Sequence, residues 1–384
     1  MDSSWRVDSY HLGLGVVGDS AIQLLVNQPN TGGPGSVEFA LLVDGGDSGG
    51  QKRILDTIQK IEGLTTMYDL SPLSSSSNPT LKFNAIVISH WDTDHWSGVL
   101  FAMREDIDTQ RESTKGPVTD LEVSFLQYEA ATPPAKRTPK TIVYCPAYGI
   151  PTMGCHFRPS PKTAAVANVD LVLRKDDPAN SIVSNAVRMR MEPTPPPTGT
   201  NPSLIGTNIL TGADLTVASG STTISTYQAI TNPAGLVQNN APAVNGQPGI
   251  YIVGISMRTI GPPSTNVAPL PDIPGVVNET GGRPKNKSSV ACMIIWPGTP
   301  PRLSHYFAGD MHWIQEQQIV RWTGTNGTRT NAGSWVTTVK TSHHGSKSST
   351  PTTLLAMFNP RSLIASVGEK NGHPSKLVLS FAVS

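Results

Sequence analysis

An apolar run from Ala85 to Ile88 stops abruptly in four metal-capable side chains, His90, Asp92, Asp94 and His95. A short, β-branched run closed by polar residues reads as a buried strand. Open α/β architectures place their sites in loops at the carboxyl ends of such strands, so residues 84–98 (NAIVISHWDTDHWSG) predict a fold class and a site together. The four side chains fall at offsets 0, 2, 4 and 5. In a loop entering a helix, neighbours such as Asp94 and His95 point in different directions, and one short segment can feed two adjacent cations. Imidazole suits zinc and similar metals, while carboxylate tolerates zinc, manganese or magnesium.

Composition sets the bounds. With 384 residues, 37% hydrophobic and 15% charged, the chain can build a substantial core with few surface charges. Its 35 glycines and 33 prolines favour turns and loops over long helices. The formal charge of +1 supplies no global basic field, so net charge gives a nucleic-acid partner no support. Three cysteines, Cys145, Cys155 and Cys292, are too few and odd for a disulfide framework and suit reduced thiols inside a cell. The first twenty residues lack a charged-then-apolar leader pattern, and no window nears the roughly 20 apolar residues that span a bilayer. The expectation is a soluble, cytoplasmic chain with no membrane partner, in which the sequons at Asn278, Asn286 and Asn326 are chance matches.

In chain order, residues 9–44 suggest two or three strands joined by tight turns, the last ending in Asp44-Gly45-Gly46. Residues 51–62 place Ile54, Ile58 and Ile61 on one helical face. SPLSSSSNPT (71–80) is a linker by composition, and WSGVLFAMRED starts a helix whose amino-terminal dipole would face the site. From about 108 to 248 the chain turns rich in Pro, Thr, Ser, Asn and Gly, an elaborated segment of short strands and loops where substrate selectivity can reside. YIVGISMRTI (251–260) reads as one strand. The final third returns to regular α/β alternation, and LVLSF begins a short helix or strand. No internal repeat is visible.

Further candidate ligands fall at strand ends. Asp310 closes LSHYFAGD after a glycine, and a carboxylate can bridge two cations about 3.5–4 Å apart. His343 and His344 end another strand, beside Gly345, Ser346 and Lys347, a group suited to an anionic moiety. His373 lies between Gly372 and Pro374. Asp44 suits a supporting role, bonding loop amides or a ligand imidazole. His11 and His305 lie inside strand-like runs, His312 at a helix start, and Cys145 and the Cys155–His156 pair lack the spacing of a structural zinc knuckle.

These residues resemble a family. SHWDTDHWSG is similar to the HxHxDH loop of the metallo-β-lactamase fold superfamily, and closer to the HxDxDH variant in the hydrolase domain of bacterial DNA-uptake competence proteins. LGVVGDS resembles that branch's VGQGDA, and LLVDGG its LIDGG. NKSSVACMIIWPG with FAGD resembles its Asn-Ser strand followed by GD, while VKTSHHGSKSST and SVGEKNGHPS resemble its HHGS and NxxGHP. The stretches span 13–375 in family order and leave 108–248 uncovered.

The resemblance implies a single domain over 1–384, an αβ/βα four-layer sandwich with the site along one edge. It implies two divalent ions, zinc or manganese, held by His90, Asp92, Asp94, His95, bridging Asp310 and His373, with Asp44 behind them. His343 and His344 then contact substrate or handle protons, one of them with an option to ligate, and Ser346, Lys347 and Asn371 face substrate. Two departures matter. Asp92 stands where the commoner motif has His, a harder site that favours manganese or weaker binding; no His precedes Asp310, where Ser288 or Ser289 stands, leaving one ion loosely held or absent.

The expected activity is hydrolysis by a metal-bound hydroxide anchored by Asp94 and Asp310. A small or tethered phosphodiester is the first expectation, because the branch is nuclease- and phosphoesterase-like and Lys347 adjoins the paired histidines. An ester, lactone or thioester comes second, with Trp91, Trp96 and Trp313 either lining an apolar pocket or packing in the core. A binding protein without activity is the third reading.

Overall fold

The computed structural model describes residues 4–12, 18–47, 49–74, 79–99, 102, 125, 141–144, 248–255, 258–259, 284–287, 289–296, 302–325, 336–367 and 372–382. Apart from Phe125, 141–144 and 248, the elaborated segment expected over 108–248 lies outside the described residues. The chain divides into two compact units, Met1–Ile209 and Leu210–Ser384, each built on its own six-stranded sheet of a mixed α/β fold.

In the first unit, β1 (Ser4–His11), β2 (Ala21–Gln28) and β3 (Gly35–Val43) form an antiparallel meander, paired in register from Ser4↔Gln28 to His11↔Ala21, and from Ala21↔Val43 to Asn27↔Ser36 with a register shift between Leu25 and Val26. β4 (Tyr68–Asp69) adds to the start of β3. β5 (Ala85–Val87) runs parallel to β3, and β6 (Ile142–Tyr144) parallel to β5. Parallel neighbours need a crossover, and α1 (Gly50–Gly63) supplies the one from β3 to β5. Ile54, Ile58 and Ile61, four and three residues apart, are its buried stripe, each contributing roughly 1.5–3 kcal/mol of burial. The unbroken apolar run of β5 follows from its place inside the sheet, where a parallel strand is covered on both faces. A second helix, α2, takes residues 93–99, so Asp94 and His95 stand in its first turn. Trp91 and Trp96 meet edge-to-face at 6.0 Å within this unit's core.

The second unit orders its strands β12-β11-β10-β9-β7-β8. They are β7 (Gly249–Ile255), β8 (Arg258–Thr259), β9 (Ala291–Trp296), β10 (Arg302–Phe307), β11 (Thr338–Lys340) and β12 (Ser362–Ile364). Short α3 (Pro284–Lys287) precedes β9. α4 (Trp313–Thr325) and α5 (Thr352–Phe358) are the crossovers joining the parallel strands β10, β11 and β12, and α6 (Lys376–Ala382) is the last described element. The single strand expected over 251–260 is instead a hairpin, with Gly254↔Thr259 and Ile255↔Arg258 paired antiparallel. A short apolar run satisfies both arms of a tight hairpin as well as it satisfies one strand, so the reversal leaves no trace in hydropathy.

The two sheets follow one path. Each has three antiparallel strands (β1-β2-β3 and β9 between β7 and β10) followed by two parallel ones reached through helices (β5-β6 and β11-β12). The sequence carries no repeat because the correspondence lies in strand pairing. Equivalent strand ends nonetheless carry equivalent chemistry. β3 and β10 lead to Asp44 and Asp310, while Ser89-His90 and Ser342-His343 follow β5 and β11 by two and three residues.

Candidate functional site

The first unit gathers Asp44, Ser89, His90, Asp92, Asp94 and His95 where β3 and β5 end. Asp44 is buried in a left-handed conformation (φ 53°), which a non-glycine residue adopts only when its surroundings impose it. Its Oδ1 accepts the Ser89 N–H at 2.6 Å and its Oδ2 accepts the Ser89 hydroxyl at 2.6 Å. The same Oδ2 lies 3.0 Å from His95 Nδ1. Burial pushes the Asp44 carboxyl above the usual carboxylate range, opposed by the His95 ring and the Ser89 donors.

This network dictates the state of two rings. Ser89 has one hydroxyl proton, and it goes to Asp44; toward His90 Nδ1, 3.1 Å away, Ser89 Oγ must therefore accept. His95 donates from Nδ1 to Asp44 by the same logic. In neutral imidazole each ring then carries its proton on Nδ1 and its basic lone pair on Nε2. The His90 and His95 rings lie 4.0 Å apart between centroids. His90 Nε2 is 3.9 Å from Asp92 Oδ2, and His95 Nε2 is 3.9 Å from Asp94 Oδ2. Ligands bound at about 2.0–2.2 Å to one ion stand no more than about 4 Å apart, so both pairs are within its span.

Backbone contact holds the two segments together. The Gly45 N–H bonds His95 O at 2.7 Å and the Gly98 N–H bonds Gly46 O at 2.9 Å. A Cβ on Gly98 would lie 1.8 Å from Gly45 O, and one on Gly45 would lie 2.2 Å from Val99 N. Only glycine lets α2 approach the Asp44 turn this closely.

The second unit gathers Asp310, His343, His344 and His373. Asp310 follows Gly309 (φ 51°) and is fixed from behind: Asn286 Nδ2 donates to its Oδ2 at 3.0 Å, and its own N–H donates to Ser289 Oγ at 3.2 Å. His343 Nε2 lies 3.6 Å from Asp310 Oδ2, and His344 Nε2 lies 4.0 Å from Asp310 Oδ1. His344 Nδ1 donates to the Ser366 carbonyl at 2.8 Å, which again leaves Nε2 with the lone pair. The His373 ring stands 5.7 Å from that of His343 and 6.4 Å from that of His344. Partial burial, then the two neighbouring histidines, push His373 below the usual histidine range against the pull of Asp310, favouring the neutral ring.

The remaining expectations fare differently. Lys347 is exposed in the turn after the histidines. Ser346 is buried, its hydroxyl bonded to Ser348 Oγ at 3.0 Å and to the Ser348 N–H at 3.3 Å, so it orders the turn. Asn371 lies outside the described residues. His305 bonds Ser304 Oγ inside β10 and His11 bonds Ser9 Oγ on β1, while His312 is buried just before α4. Cys292 is buried on β9 and forms no disulfide.

Sequence reasoning passed over two residues. Asn286 is noted only as a chance sequon, whereas it is buried and holds Asp310. Glu316 is buried in the first turn of α4, and its signal was a carboxylate three and four residues before Ile319 and Val320 on the apolar face. No helix among the described residues is long and apolar enough to cross a membrane. Comparison with protein-family models, curated proteins and solved structures finds no match to this chain.

The donor set fits divalent cations in each unit. Basic Nε2 atoms sit within about 4 Å of carboxylate oxygens, and buried second partners fix the rings. Zinc and manganese both accept such mixed imidazole and carboxylate donors.

Proposed function

We propose that this chain is a divalent-metal-dependent hydrolase of the metallo-β-lactamase type, with the αβ/βα four-layer arrangement, acting on a phosphodiester or phosphoester. One observation carries the reading: the Asp44–Ser89–His90/His95 network, which spends every Nδ1 proton behind the rings and turns two basic Nε2 atoms toward carboxylates. Networks of this kind orient histidine ligands and raise their basicity.

In this reading His90, Asp92, Asp94 and His95 offer ligand atoms in the first unit, and Asp310 and His373 offer them in the second. His344 joins them as a ligand, because its Nδ1 is committed to the Ser366 carbonyl. A bound divalent pair supplies Lewis acidity and acidifies water near neutral pH. The chain's own residues do the rest. Asp94 orients water in the first unit and Asp310 in the second, where Asn286 keeps the Asp310 carboxylate from turning away. His343 is the more exposed of the paired histidines and protonates the leaving oxygen. Lys347, at the surface of the same turn, attracts the anionic group. The acyl alternative loses the apolar lining that Trp91 and Trp96 would have given it, since both are core residues.

The test is hydrolysis of bis(4-nitrophenyl) phosphate beside 4-nitrophenyl butyrate, by the wild type and by Asp94→Ala. Phosphodiester turnover lost in the variant with unchanged circular dichroism supports the proposal. Full activity in Asp94→Ala discards the assigned site, and acyl-only turnover discards the substrate class.

A further inference from the structure

The turn that carries His343 and His344 holds an unusual backbone. His343 (φ 47°, ψ 49°) and His344 (φ 55°, ψ 22°) are consecutive left-handed residues, and Thr350, eight residues into the turn counted from Ser342, is left-handed too (φ 50°). Side chains cost roughly 1–2 kcal/mol each in this region, and a β-branched residue there is a true outlier. Such strain persists only where the surroundings over-determine it.

Backbone bonds hold the middle of the turn, with the His343 N–H on Gly309 O at 2.9 Å and the Trp313 N–H on Ser348 O at 2.9 Å, and one buried carboxylate holds both of its ends. Glu316 Oε1 accepts the Ser342 hydroxyl at 2.6 Å, where the turn begins, and Oε2 accepts the Thr350 N–H, where it ends. The Ser342 N–H closes the neck onto Thr350 Oγ1 at 2.8 Å. From the opposite side the Tyr306 hydroxyl, on β10, donates to Oε1 at 3.1 Å. Lys340 on β11 is the cation whose charge acts on this group. Glu316 is fully buried and sits on α4, packed in the core by Ile319 and Val320, so the clamp is fixed to the scaffold.

We infer that Glu316 is the positioning residue of the two-histidine turn: it grips both ends of 342–350 and so sets where the His343 and His344 rings stand relative to Asp310. The inference takes the importance of those rings from the proposed hydrolase reading, but the clamp itself is a statement about geometry. The experiment compares Ser342→Ala with Tyr306→Phe, each of which deletes one hydroxyl donated to the same Glu316 oxygen. Glu316→Gln, which keeps the volume and leaves one acceptor oxygen where three donors converge, is the third variant.

Crystal structures of all three, with rates on bis(4-nitrophenyl) phosphate, give two independent readouts. The clamp predicts that Ser342→Ala and Glu316→Gln move His343 and His344 out of the left-handed region. It predicts that their kcat falls on the order of tenfold or more, with KM within about twofold. Tyr306→Phe should lose comparable thermal stability yet keep both the turn and the rate. If the turn is unchanged in Ser342→Ala and Glu316→Gln, or if Tyr306→Phe disturbs it equally, Glu316 is merely a core residue and the inference is overturned. A wild type inert on the phosphodiester defeats the hydrolase reading, while the crystal structures still decide the clamp.

Discussion

Where Ser89 sends its single hydroxyl proton decides the chemistry of two histidines. Given to Asp44, it makes both rings present Nε2. Asp44→Asn replaces one acceptor oxygen by a donor amide and breaks this ordering. Zinc affinity, measured by competition with a chromophoric chelator, should fall by about 10–100-fold. An unchanged affinity would mean that Asp44 has no part in presenting the rings. Glu316 makes a separate prediction at this scale. Burial pushes its carboxyl up to about 7, opposed by its three donors and Lys340. A folded-state pKa raised above the unfolded value adds stability at low pH that is lost as pH rises through the folded pKa. Between pH 5 and pH 8 the wild type should therefore lose on the order of 3 kcal/mol relative to Glu316→Gln, read from urea midpoints. A pH-independent difference would contradict the buried, proton-holding state.

At the scale of elements, the legible parts of the sequence were those with a period or a chemistry. The isoleucines of α1 and the buried strand β5, with His and Asp residues after it, both stand in the structure where hydropathy placed them. Asn286 and Glu316 were not legible, because a buried polar residue looks like a surface one until its partner, 24 or 26 residues away, is known. The glycine contact between α2 and the Asp44 turn was invisible for the same reason: its partners are backbone atoms. It is also testable. Gly98→Ala drives a Cβ onto Gly45 O, and should cost about 1–3 kcal/mol or more while weakening metal binding in step. Gly63→Ala at the end of α1 meets open space and should be neutral or stabilising by up to about 1 kcal/mol. Equal thermal shifts for the two variants would contradict the close approach.

At the scale of the whole molecule, one strand path is used twice, and its equivalent ends carry an acid after the third strand and Ser-His after the fourth. The repeat escaped the sequence because hydrogen-bond pairing tolerates almost any side chains, whereas the His and Asp residues at the strand ends are few and were visible. The two units differ in what the serine serves: Ser89 bonds the acid at its neighbouring strand end, while Ser342 bonds Glu316 on a helix. The metal reading unites these observations, and the metal itself tests it most directly. Elemental analysis of the purified, exhaustively dialysed chain should find up to about two equivalents of zinc or manganese per chain. That content should drop sharply in His95→Ala and in His373→Ala, each still folded by circular dichroism. A chain that retains no divalent metal when zinc and manganese are supplied, or variants that retain as much as the wild type, would contradict the account.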